Sequence, residues 1–141
     1  MNEESIVFRY DVDGDDFSSA GAASVAVKKN LRQLGFSPYV IRRVAIDMYE
    51  GEINMVIHAD GGTAQIEILP DCIKMVLSDH GPGIEDVERA MQEGFSTAKE
   101  NIRSLGFGAG MGLPNMKKYT DTMVIDTVVG EGTTITMTVN T

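Results

Sequence analysis

Glu50-Gly51-Glu52-Ile53-Asn54-Met55-Val56-Ile57-His58 is the stretch on which the reading of this chain turns. It sits inside a longer segment, from Ser37-Pro38 to about Ala59, where Ile41, Val44, Ala45, Met48 and Met55 mark one side of a helix. Ser37 suits the cap and Pro38 the first turn. Glu50, Asn54 and His58 recur every four residues, so they share a helix face with Cβ atoms about 5–6 Å apart. The stripe offers a carboxylate, an amide and an imidazole. An amide oxygen suits a hard ion such as magnesium. A carboxylate one turn earlier can take a proton from a hydroxyl or orient a water. A solvated helix face would carry the same spacing, and His58 taken alone reads as a packed or capping histidine.

Upstream, Ser5 to Val12 alternates as a strand, and Phe17 to Leu34 carries a helical stripe of Ala20, Ala23, Val27, Leu31 and Leu34. Gly35 can end that helix in the left-handed conformation. The acidic run Asp11 to Asp16 lacks the glycine and glutamate positions of a calcium loop and reads as a turn. Downstream, Thr63 to Leu69 and Cys72 to Ser78 form a predicted hairpin. Ile84 to Glu93 is a short helix, Gly112 to Thr120 another, and Met123 to Val129 pairs with Thr133 to Val139. Between them, the long loop from Gly94 to Met111 is of the kind that is usually functional or mobile.

Three further pieces follow the helix. Asp79-His80-Gly81-Pro82-Gly83 ends an apolar strand on an acid, then places two glycines that permit close backbone approach. Gly106-Phe-Gly108-Ala-Gly110-Met-Gly112-Leu-Pro alternates glycines up to a helix start, a pattern that can cradle an anion. It fits neither the dinucleotide fingerprint nor the phosphate loop. Gly132-Thr133-Thr134 opens the last strand. Each piece taken alone is also what an ordinary turn, loop or strand shows.

The chain has 141 residues and reads as one domain over 1–141. Its net charge of −9 argues against nucleic acid or an anionic membrane as the main partner. Lys28-Lys29 and Lys117-Lys118 read as solvated helix faces. The single cysteine, Cys72, reads as a buried structural thiol in a reducing compartment. No apolar run is long enough to span a membrane, and Met-Asn-Glu-Glu is not a signal peptide start. The expected location is cytoplasmic.

The four pieces, in this order, resemble the GHKL superfamily of Bergerat-fold ATP-binding domains. Glu50 to Asn54 resembles its N box, Asp79 to Gly83 its first glycine box, Gly106 to Leu113 its second, and Gly132-Thr133-Thr134 its closing motif. Within it, Glu93 to Ala98 and His58 are similar to the stand-alone serine kinases of bacterial partner switching. The resemblance implies an α+β, two-layer sandwich, with helices on one face of a mixed, mainly antiparallel sheet. It implies ATP and Mg2+ as cofactors. Glu50 becomes the general base, or orients the acceptor hydroxyl. Asn54 becomes a magnesium ligand and His58 a neighbour of the nucleotide. Asp79 would bind the adenine amino group, with Gly81 and Gly83 against the base and Thr134 supporting it. Gly106, Gly108, Gly110, Met111, Gly112 and Leu113 would shape the lid and the phosphate contacts, and Arg103 could reach phosphate or partner. The implied activity is phosphorylation of a serine on a small anti-sigma-antagonist-type (STAS-like) protein. The alternative is a nucleotide-gated module that sequesters a sigma factor. A homodimer is expected from the resemblance. Gly51 departs from the pattern, since a helix former is common there and glycine costs about 1 kcal/mol.

Overall fold

Gly35 and Ser37 decide where the first two helices part. Helix α1 covers Ala22–Gln33 and α2 covers Pro38–Ala59. Gly35 takes φ +84°, its N–H donates to Arg32 O, and Phe36 N–H donates back to Leu31 O. This is a Schellman stop, with Phe36 packed against the core that holds Leu31. Ser37 Oγ then accepts from Val40 N–H at 3.3 Å and starts α2. The structure is a computed structural model, and it describes residues 6–14, 21–59, 61–91 and 112–141.

The strands are β1 (Ile6–Asp13), β2 (Gly61–Ile68), β3 (Cys72–Asp79), β4 (Thr122–Val128) and β5 (Gly132–Asn140). Short helices α3 (Val87–Ala90) and α4 (Gly112–Lys118) lie between β3 and β4. The sheet has the order β1-β2-β3-β5-β4. Every described pairing is antiparallel, so the expected mixed sheet narrows to an antiparallel one. Two of the pairings are the hairpins expected from alternation, β2–β3 and β4–β5.

Alternation gives the sheet its two faces. One register row runs Phe8, Ile66, Met75, Met137, Met123 across all five strands. Ile66, Met75 and Met137 in that row are fully buried. Val27 and Leu31 of α1, Val44, Met48, Met55 and Val56 of α2, and Met116 of α4 join them in one core. Burying each such side chain stabilises by about 1.5–3 kcal/mol. The neighbouring row, Arg9, Gln65, Val76, Thr136, Val124, faces away from the helices. Cys72 belongs to that uncovered side and is half-buried, not buried as expected, because it opens β3 one register off the apolar rows. Among the described residues no helix is long and apolar enough to cross a membrane.

Two contacts bind the helices to this frame. Glu52, buried in α2, accepts the N–H groups of Ala23 at 3.1 Å and Ser24 at 3.2 Å, and so caps α1 from another element. Gly21 precedes α1 with φ +99°, so the helix starts later than the expected Phe17, whose neighbours through residue 20 lie with it outside the described residues. Gly51 has a plain reason. A methyl group there would come within 2.2 Å of Leu77 Cδ2 on β3, so glycine lets α2 lie directly on the sheet. The short helices are trimmed: Val87–Ala90 against the expected Ile84 to Glu93, whose residues 92 and 93 lie outside those described, and Lys118 against Thr120.

Candidate functional site

The sequence stripe becomes a physical one because α2 passes over the ends of three other elements. Glu50 is half-buried and accepts a hydrogen bond from Asn115 on α4. Burial pushes its carboxyl above the usual carboxylate value, and the Asn115 bond opposes that shift. Gly112, the first residue of α4, lies against the same stripe. A methyl group on it would sit 3.4 Å from Glu50 Oε2 and 3.9 Å from Asn54 Oδ1. Glycine thus leaves the approach to both oxygens uncovered from that side.

One turn further, His58 is half-buried. Burial lowers its pKa and the nearby Asp79 raises it, with burial the larger effect, so the ring is neutral at pH 7. Asp79 ends β3, where the strand feeds the glycine turn. Its Oδ1 accepts from Gly81 N–H at 2.9 Å and from Thr133 N–H at 3.2 Å. Both bonds fix the carboxylate on the helix-covered side of the sheet. Thr133 is buried there, and its hydroxyl lies 2.9 Å from that of Thr127, which also accepts from Ile84 N–H.

The glycines of this turn serve packing. A methyl on Gly81 would meet Ala59 Cβ at 2.6 Å, so the turn rests on the last residue of α2. Gly83, with φ +80°, lies against Val128 O and Val129, and Gly130 N–H closes the contact onto Pro82 O at 2.8 Å. The space expected at Gly81 and Gly83 for a ligand is filled on these sides by the chain itself.

Thr134 requires a correction. It pairs with Ser78, at 3.1 Å between hydroxyl oxygens, on the uncovered face. Side chains alternate along a strand, so Thr134 cannot share a face with Asp79, whereas Thr133 does. Leu113 is buried in the apolar core, leaving only its backbone for any anion. Gly106, Gly108, Gly110, Met111, Arg103 and the Glu93 to Ala98 segment lie outside the described residues.

The described residues thus bring Glu50, Asn54 and Gly112 together at one point, and His58 and Asp79 at the next. Two carboxylates and an amide are oxygen donors suited to a hard cation. Among the described residues no group of three or more His, Cys, Asp or Glu could hold a metal ion.

An open antiparallel sheet under paired helices, with an Asn on the long helix and an Asp at a strand end, defines a nucleotide-binding class that sequence comparison names. Residues 45–141 match the histidine kinase-, DNA gyrase B-, and HSP90-like ATPase family, and the chain belongs to that family. Among its relatives is the serine/threonine-protein kinase RsbT of Bacillus subtilis (strain 168). It is 33% identical over 108 residues, which cover 74% of this chain and 75% of that protein. The anti-sigma F factor of Caldanaerobacter subterraneus subsp. tengcongensis is 37% identical over 93 residues, covering 66% of this chain and 57% of that protein. The anti-sigma F factor of Anoxybacillus flavithermus is 31% identical over 119 residues, covering 80% of this chain and 78% of its own length.

Proposed function

We propose that this protein is an ATP- and Mg2+-dependent protein serine kinase that regulates a small partner protein. The observation that carries the reading is the convergence of Glu50, Asn115, Asn54 and Gly112. Glu50 accepts the proton of the acceptor serine hydroxyl, and the Asn115 bond holds its carboxylate in place. Asn54 would hold Mg2+ through its neutral amide oxygen, and the ion would supply neutralisation of phosphate charge. Asp79, oriented by two backbone N–H groups, accepts from the amino group of adenine, and Thr133 rather than Thr134 flanks it. Phosphoryl transfer asks mainly for positioning and charge neutralisation, so this short list suffices.

The kinase name of the Bacillus relative supports this reading. The names of the other two relatives favour a second one, in which nucleotide state sets affinity for a sigma factor with little turnover. A transfer assay separates them. Purified protein with Mg2+ and γ-labelled ATP is offered anti-sigma-antagonist-type (STAS-like) proteins and a sigma factor. The kinase reading expects a labelled serine, lost in Glu50→Ala. Undiminished transfer by Glu50→Ala would remove Glu50 as the base. Stoichiometric capture of sigma factor by the wild type, with no label moved to any protein, would favour the second reading.

A further inference from the structure

Asp47 lies on α2, four residues after Arg43 and three before Glu50. It has 0% exposure, and neither carboxyl oxygen has a hydrogen-bond partner. A buried polar group left unpaired is costly, and an ionised one costs more. Burial dominates its titration, pushing the pKa up to about 9; Arg43 pulls it down and Asp121 raises it further. Arg43 from α2 and Asp121 from the turn after α4 are therefore the charged groups acting on it. Lys117 and Lys118 of α4 are exposed.

Arg43 has the means to pair Asp47, since residues four apart on a helix are neighbours. It is engaged elsewhere. Its Nη1 lies 3.3 Å from Asp121 Oδ2, and its guanidinium sits 5.4 Å from the centre of the Tyr39 ring. Asp121 has another donor, Asn140 N–H at 2.7 Å, and so keeps a partner if Arg43 leaves. Asp47 has none to replace it.

We propose that Arg43 is a cation shared by Asp121 and Asp47, and that its choice sets how the turn after α4 is held against α2. Asp47 is then a positioning residue for the Glu50–Asn115 pair. With Arg43 on Asp121, the carboxyl-terminal end of α4 is tied to α2, and Asn115, three residues into that helix, stays on Glu50. With Arg43 on Asp47, the new pair is ionised and α4 keeps one tether fewer. The positioning role rests on Glu50 being the base; the shared cation does not.

Carboxyl carbon-13 NMR titration of the full chain tests the proposal without any acceptor protein. Asp47 in the wild type should titrate near pH 9. Asp121→Asn frees Arg43 and removes a repelling charge, so the Asp47 midpoint should fall by at least about one unit, a tenfold change in its proton affinity. Arg43→Gln should raise the midpoint and abolish that fall in the double variant. Amide fingerprint spectra show that each variant is folded; if Asp121→Asn is not, the rise in Arg43→Gln decides alone. A wild-type midpoint in the ordinary carboxylate range, or one that neither substitution moves, overturns the proposal. In transfer assays Arg43→Gln, which removes the tie between α2 and the turn after α4, should lower kcat and leave KM for ATP unchanged. If the wild type transfers nothing to any acceptor, the base assignment of Glu50 fails while the outcome of the titration stands.

Discussion

A carboxyl that folds into a dry place in its neutral form ties stability to pH. Asp47 has a folded pKa of about 9 against 3.8 for the free group. Between those values the unfolded chain binds fewer protons than the folded one, so stability falls as pH rises through the window. Asp47→Asn keeps the shape and removes the ionisation. It should match the wild type near pH 4 and gain steadily above it, by roughly 2–4 kcal/mol at pH 7. Urea unfolding at pH 4, 7 and 9 checks this; a constant difference across the series would contradict it. Glu50 makes a kinetic counterpart. Its raised pKa places the acid limb of transfer activity above the usual glutamate midpoint. Asn115→Ala removes the bond favouring the charged form, so the pH–rate profile should shift further upward; a downward shift would contradict the bond's role. The places of Glu50 and Asn54 on one helix and of Asp79 at a strand end were legible in the sequence from its periodicity. Asp47 and Glu52 were not, because the burial of both, and the partners of Glu52, come from residues distant in sequence. Thr134, expected from the resemblance, pairs with Ser78, and the two-residue period of the strand puts Thr133 beside Asp79 instead.

At the scale of elements, α2 is held by a glycine where a helix would prefer alanine. Gly51→Ala gains about 1 kcal/mol of helix propensity and forces Leu77 to move, an overpacking cost of about 1–3 kcal/mol. The net expectation is a lower melting temperature, read by calorimetry or circular dichroism; a higher one would mean the core yields freely. Glu52→Ala should cost about 1–3 kcal/mol, since it strips two buried N–H groups of their acceptor and uncouples α1 from α2. Denaturant melts of Glu52→Ala and Glu52→Gln compare loss of the cap with loss of its charge alone. Element existence was legible from periodicity: all five strands and both long helices stand within a few residues of expectation. Their ends were less so. The start of α1 depends on a cap supplied from α2, a tertiary contact that no local pattern encodes.

Over the whole molecule, the sheet fixes one covered face, and the proposed site residues gather where that face meets α2, the end of β3 and the start of α4. The family was legible because four short motifs occur in a fixed order, although each alone is ordinary. The all-antiparallel pairing was not, since strand order depends on how the helical segments cross back over the sheet. The central claim is that Glu50, Asn54 and Asp79 form a magnesium-dependent nucleotide site. Calorimetric titration of ATP into the wild type and Asn54→Ala, each with and without Mg2+, tests it most directly. The account predicts binding that Mg2+ strengthens and that Asn54→Ala weakens about tenfold or more, with the Mg2+ effect lost. Equal binding by both proteins, or none by the wild type, would contradict it.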